Sequence, residues 1–184
     1  MAVVHDVERA AAALRRGAIT SSAPLLAPHS VRIRPSFPRG MQAIDVQETL
    51  TVHTAGRGLI EITAEVARVA EDSGVETGLC IAFCRHTSAS LVIQENADPS
   101  ARRDLEASFT RLFPDNDPRH THVTEGPDDM PAHLRSAVTR TSETIPVTRG
   151  RLALGTWQGL YLFEHRTSPH RREVVVHVQG TKPI

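Results

Sequence analysis

The sequence predicts an α+β fold: mostly antiparallel sheets in a compact, sandwich-like domain with about three helices. Three observations carry that expectation. Segments patterned as strands outnumber those with helical spacing. Several strands follow one another through short, glycine-marked turns, so the strand–helix–strand rhythm of a parallel sheet is missing. The chain has 184 residues, 40% of them hydrophobic and 23% charged, which suits one domain with a sizeable core.

The elements follow in order from Met41. QETLTVHT (47–54) alternates and reads as a strand, and GLIEIT (58–63) reads as a second after a glycine turn. TAEVARVAEDSG (63–74) has helical spacing and is closed by Gly74. A strand over 77–86 contains the apolar run GLCIAFC, and a shorter one follows at 90–95. Asp98-Pro99 is a helix start, with Asp as N-cap and Pro at N1. Leu105, Phe109 and Leu112 then recur on one face, and Pro114 ends the helix. Residues 114–128 form a polar loop. DDMPAHLRSAV (128–138) reads as a third helix capped by Asp128 or Asp129, with Met130, Leu134, Ala137 and Val138 as its buried stripe. From Ser142 to Gly180 the pattern gives three strands.

Residues 1–40 differ. They carry six Arg against Asp6 and Glu8, and prolines at 24, 28, 35 and 38. VERAAAALRRG reads as a short helix. The segment lacks the apolar stretch of a secretory signal. It is expected to be an N-terminal extension, disordered or upstream of a true start at Met41, with 41–184 as the single domain.

Composition excludes several classes. Formal net charge is zero, and no dense basic stripe with interleaved aromatics marks a nucleic-acid surface. No apolar run approaches the ~20 residues that span a bilayer. Cys80 and Cys84, on one strand, would stand about 13 Å apart at roughly 3.3 Å per residue, too far for a disulfide or a shared ion. They read as core residues, and a reducing, cytoplasmic setting is the expectation.

Chemistry gathers in three stretches. HTSASLVIQENADP (86–99) places His86, Thr87, Ser88, Ser90, Glu95 and Asn96 at the end of a core strand, where catalytic groups are often held. His86 also fits a role that merely bonds a turn. HTHVTEGPDDMPAH (120–133) holds three histidines with Glu125, Asp128 and Asp129. Imidazoles with an open water position make a catalytic zinc pattern, and carboxylates can orient them from behind. Plain helix capping would equally explain the two aspartates. GRLALGTWQGLYLFEHR (150–166) contains the chain's single Trp, Trp157, beside Gln158. It ends in Glu164, a potential acid or base, and Arg166, a potential phosphate ligand. A salt-bridge cluster at a sheet edge is the alternative for that pair.

These three motifs, in this order, resemble the YjbQ-type family, often labelled secondary thiamine-phosphate synthase. The resemblance runs from about Thr49 to Gly180. It implies an α+β homotrimer with a divalent metal, zinc or, with a diphosphate substrate, magnesium. It places the metal on His86, His122 and His133, leaves His120 out, and puts Asp128 and Asp129 behind the ligands. It further implies transfer of a pyrimidine from its diphosphate to a thiazole phosphate. Thr87, Ser88, Ser90, Asn96, Trp157 and Gln158 would then contact a small phosphorylated substrate, with Glu95, Glu164 and Arg166 as catalytic groups. A His₃ site suits Zn²⁺ better than a diphosphate's usual Mg²⁺. That mismatch points to the thiamine reaction as secondary. It keeps two alternatives open: a zinc-dependent hydrolase of a phosphorylated or acyl metabolite, and a non-catalytic metal- or metabolite-binding trimer.

Overall fold

The computed structural model describes residues 40–184. The expectations for the N-terminal extension lie outside the described residues. The elements run β1 (Met41–Thr54), β2 (Gly58–Glu61), α1 (Thr63–Asp72), β3 (Thr77–Cys84), β4 (Ala89–Glu95), α2 (Pro99–Leu112), α3 (Asp129–Val138), β5 (Ser142–Thr148), β6 (Arg151–Leu152), β7 (Gln158–Glu164) and β8 (His170–Pro183). They form an α+β unit with two antiparallel sheets. One has five strands in the order β1-β8-β3-β5-β6, and the other has three in the order β2-β7-β4.

The first strand starts earlier than its alternation alone indicated, because β1 pairs with β8 along its full length, from Met41↔Pro183 to Thr54↔His170. β3 packs on the other side of β8, with Gly78 opposite Gly180. A side chain at either glycine would collide with the partner strand's main chain, so this close crossing demands the pair.

One core lies between the sheets. Cys80, Ala82 and Cys84 from β3 and Val174, Val176 and Val178 from β8 meet Leu91 from β4 and Leu160 and Leu162 from β7. Helix α1 closes the core with Val66, Val69 and Ala70. Both cysteines are buried and free, and burial pushes the Cys80 thiol up to about 11, which keeps it in its inert protonated form. Strand β7 is buried on both faces. Leu160 and Leu162 join that core, while Tyr161 and Phe163 face a second cluster with Leu59, Leu105 and Phe109.

Helix α2 starts as its sequence indicates. The Asp98 carboxylate accepts from Ser100 N–H at 2.7 Å, and Pro99 occupies the first turn. Its apolar stripe is shallower than the spacing implied. No α2 residue is fully buried, and Leu112 is exposed.

Helix α3 departs from the expected stripe. Ala137 and Val138 are exposed, and Met130 and Leu134 are half-buried. The buried residues are Asp129, Pro131, Ala132 and Arg135. On that face Asp129 meets the Arg166 guanidinium and Arg135 donates to the Phe113 carbonyl, so polar partners from other parts of the chain, and not an apolar stripe, set which side is buried. Asp128 makes no side-chain cap bond, because its carboxylate serves residues after β7.

No helix among the described residues is long and apolar enough to cross a membrane.

Candidate metal centre

Asp129 opens α3, and His133 follows four residues later on the same face. The loop between α2 and α3 carries His122 over that face. His122 Nε2 stands 3.3 Å from one Asp129 oxygen, and His133 Nε2 stands 3.5 Å from the other. The two imidazole rings are 5.1 Å apart and tilted at 59°. One potential ligand atom from each of the three residues lies within 4.8 Å of the others. Exposure is graded across the cluster, from 1% for the Asp129 side chain through 32% for His133 to 56% for His122. The carboxylate is therefore the fixed base and the histidines are the rim.

The loop bends into α3 at Gly126, whose φ of +123° excludes an ordinary side chain. Behind the rim sits Arg166, just past β7, with its side chain only 7% exposed. It donates to Glu125 Oε2 at 2.9 Å, the Glu125 main-chain oxygen at 2.6 Å, Asp128 at 3.3 Å and Asp129 Oδ1 at 3.3 Å. Burial pulls the Arg166 guanidinium down, but the carboxylates of Glu125 and Asp128 outweigh it, so its pKa lies above the ordinary arginine value. Asp128 also accepts from Thr167 N–H at 2.7 Å and from the Thr167 hydroxyl at 2.9 Å. Burial pushes the Asp128 carboxyl up, yet these donors and Arg166 leave it below the usual carboxylate value.

Glu164 is equally internal. It accepts from Arg172, from the Thr54 hydroxyl at 2.9 Å, and from the main-chain N–H groups of His165 and Arg166 at 3.1 and 3.0 Å. Burial raises its pKa, but Arg172 and those donors prevail and hold it low. Glu164 and Arg166, read from sequence as catalytic groups, are thus both buried in internal pairs. The alternative of a salt-bridge cluster is what the structure displays, though inside the fold and not at an edge.

The phosphate-binding assignments divide. Ser90 is fully buried, with its hydroxyl 2.8 Å from His165 Nε2 and accepting from Thr139 at 2.7 Å. That hydroxyl has no free face for a phosphate. Ser88 is half-buried and Thr87 exposed. Asn96, Trp157 and Gln158 are exposed, and Asn96 N–H donates to the Trp157 carbonyl. Glu95 pairs with Gln158 at one end of the three-stranded sheet, while Ala89 pairs with Glu164 at the other. Six residues of strand separate those ends by about 20 Å at ~3.3 Å each. One chain therefore does not gather Glu95, Asn96, Trp157 and Gln158 with the cluster beside Arg166.

His86 also stands outside the three-residue cluster. Its Nε2 accepts from Glu173 N–H at 2.7 Å, so that lone pair is engaged. Burial and then Arg172 hold its pKa below the ordinary histidine value, which favours the neutral imidazole that an accepting Nε2 requires. Asp129, expected behind the ligands, instead offers an oxygen directly. The i, i+4 spacing of Asp129 and His133 on a helix was the available signal for that.

Sequence reasoning missed Arg135 and His165. Arg135 is fully buried and donates to the Phe113 carbonyl at the C-terminal end of α2, where the helix dipole favours a cation. Burial, then neighbouring Arg57, pulls its pKa down to about 10. His165 is fully buried too, and burial followed by Arg135 drops it to about 3. No local sequence pattern marks either.

Fold and cluster together define a small α+β protein with a two-histidine, one-carboxylate site able to hold a divalent ion. The chain belongs to the YjbQ/UPF0047 family: the family described as UPF0047 protein YjbQ-like matches residues 48–181. It is 57% identical to a UPF0047 protein of Synechocystis over 73% of this chain and 91% of that one. It is 42% identical to the YjbQ protein of Escherichia coli O157:H7 over 73% and 97%. It is also similar to the crystal structure of a YbjQ-like protein of unknown function from Sulfolobus solfataricus. That match has a TM-score of 0.67 and 26% identity, and covers 76% of this chain and 99% of the other.

Proposed function

We propose that this chain is a divalent-metal enzyme whose ion is held by His122, Asp129 and His133 and whose substrate is a small phosphorylated metabolite. The observation that carries the reading is the convergence of three ligand atoms on a buried carboxylate with an exposed rim. Two imidazoles and one carboxylate suit Zn²⁺ better than Mg²⁺, which prefers an all-oxygen shell. Local charge supports a dication. Glu125, Asp128 and Asp129 against Arg166 leave three negative charges and one positive, a formal −2. A bound ion would supply Lewis-acid polarisation of a phosphoryl or carbonyl oxygen. The chain's own residues hold the ligands in place and leave the outer side of the imidazoles open to substrate.

The reaction that the family resemblance supports is thiamine-phosphate synthase-like transfer, as a secondary activity. The hydrolase reading gains from a specific observation: Arg166, Ser90 and Glu164 are engaged internally, so substrate contact would fall to the metal rim. A homotrimer fits the exposed apolar residues Leu79 and Phe83 on β3. Residues 41–184 are the functional unit in this reading, in a cytoplasmic setting.

Metal content of protein purified without chelator tests it. About one zinc per chain, lost in His133→Ala, is expected. Thiamine phosphate formation should then fall with the metal. Product formation that persists in His133→Ala would sink the metal-dependent transfer, and a broad phosphatase and esterase screen without a hit would remove the hydrolase.

A further inference from the structure

We infer that Arg166 is a positioning residue for the metal centre: it aims Asp129 and locks the His122 loop onto α3. It is not a phosphate ligand. The inference rests on the metal reading above.

The geometry leaves little room for another role. Four hydrogen bonds run from the guanidinium to acceptors on the loop and on the start of α3. A substrate phosphate would have to displace them inside a nearly closed site. The same bonds join two pieces of chain that the metal needs together. Glu125 lies three residues after His122, and Asp129 lies four before His133. Arg166 grips Glu125 through both its carboxylate and its carbonyl, and grips Asp129 through Oδ1. Asp129 Oδ2 accepts from Glu125 N–H at 3.3 Å. The carboxylate is thereby clamped from two sides, and its rotamer is set before any ion arrives.

Arg166 is itself anchored from the sheets. Its main-chain N–H donates to Glu164, which is held by Arg172 of β8 and Thr54 of β1. A line of buried charge therefore runs from the five-stranded sheet through Glu164 and the adjoining backbone to Arg166 and Asp129. A guanidinium suits this place because it is planar and always charged, and it donates in several directions at once. A lysine ammonium at that position would reach fewer of the acceptors. Supporting groups behind ligands commonly change metal affinity by 10- to 100-fold.

The test is Zn²⁺ titration calorimetry on the full chain, with the Co²⁺-loaded absorption spectrum as a second readout. Wild type, Arg166→Gln and Arg166→Lys are compared, each checked for folding by circular dichroism. Arg166→Gln should weaken Zn²⁺ at least about tenfold and alter the Co²⁺ spectrum, with Arg166→Lys falling between. A folded Arg166→Gln with wild-type affinity and spectrum would overturn the inference while leaving the metal site standing. If Arg166→Gln does not fold, Arg166→Lys decides: wild-type affinity and spectrum overturn the inference, and a weakened site supports it. Wild-type protein that takes up no Zn²⁺ would overturn both this inference and the metal reading.

Discussion

Helices α1 and α3 have the same length, ten residues each, and opposite interiors. The first buries Val66, Val69 and Ala70 in the main core. The second buries Asp129 and Arg135 beside Pro131 and Ala132. A helix normally contributes to stability by placing an apolar face against the core. A buried ion pair is weak evidence for stability, because desolvation offsets most of its attraction. The charged interior of α3 therefore serves to hold a carboxylate in place beside its histidine, while α1 supplies conventional packing.

The sharpest break in that comparison is Asp129→Ala. It should abolish Zn²⁺ binding in a titration, and it should lower stability by about 3 kcal/mol in urea unfolding, because Arg166 loses a buried partner. Bound metal in that variant would mean the site lies elsewhere. Next comes Val69→Ala in α1. Removing a fully buried branched side chain should lower stability by roughly 2 kcal/mol and leave metal stoichiometry unchanged. Loss of metal there would erase the division of labour between the helices.

A third effect, spread over several pH units, concerns His165. His165 has a folded-state pKa near 3, well below the unfolded value of about 6.5. The unfolded chain binds a proton that the folded chain refuses. Stability is therefore complete above about pH 6.5 and falls toward pH 3 by roughly 1.4 kcal/mol per unit from this group. Glu164 and Asp128, held low, add a loss only as pH drops through the carboxylate range. His165→Gln should flatten the limb between pH 6.5 and 4 in metal-free protein, and an unchanged slope would assign that limb to other groups. The smallest effect is expected on the outer side of α1. Arg68 reaches Glu48 and Asp72 from an exposed position, and such pairs contribute little. Arg68→Ala should leave the melting temperature unchanged.

Local rules made much of the frame legible. Alternation marked the strands, Asp98-Pro99 marked the start of α2, and Gly74 marked the end of α1. Crowding of three histidines beside two aspartates marked the stretch that holds His122 and His133, while setting His120 aside and adding His86 came from the family resemblance alone. Asp129 was assigned behind them because its role depends on which way the start of α3 faces. That facing inverted the apolar stripe expected from Met130, Leu134, Ala137 and Val138. Ser90, Glu164 and Arg166 carried the right chemistry for an open site, and nothing local showed that Thr139, Arg172 and Glu125 would engage them inside the fold. Glu95 and Glu164 sat in neighbouring motifs, and the register of β4 on β7 set them at opposite ends of a sheet.

What the sequence alone determined is therefore most of the elements (the two-residue β6 made a fourth strand after Ser142 where three were expected), the α+β class and the pool of groups able to bind a metal. Each depends on periodicity or residue chemistry within a few positions. The tertiary structure decided which of those groups are spent internally and which converge. Burial and long-range pairing settle that choice. Glu164 meets Thr54 across 110 positions of sequence, and Arg166 meets Asp129 across 37. No local pattern encodes the desolvation that turns a reactive side chain into a support for its neighbour.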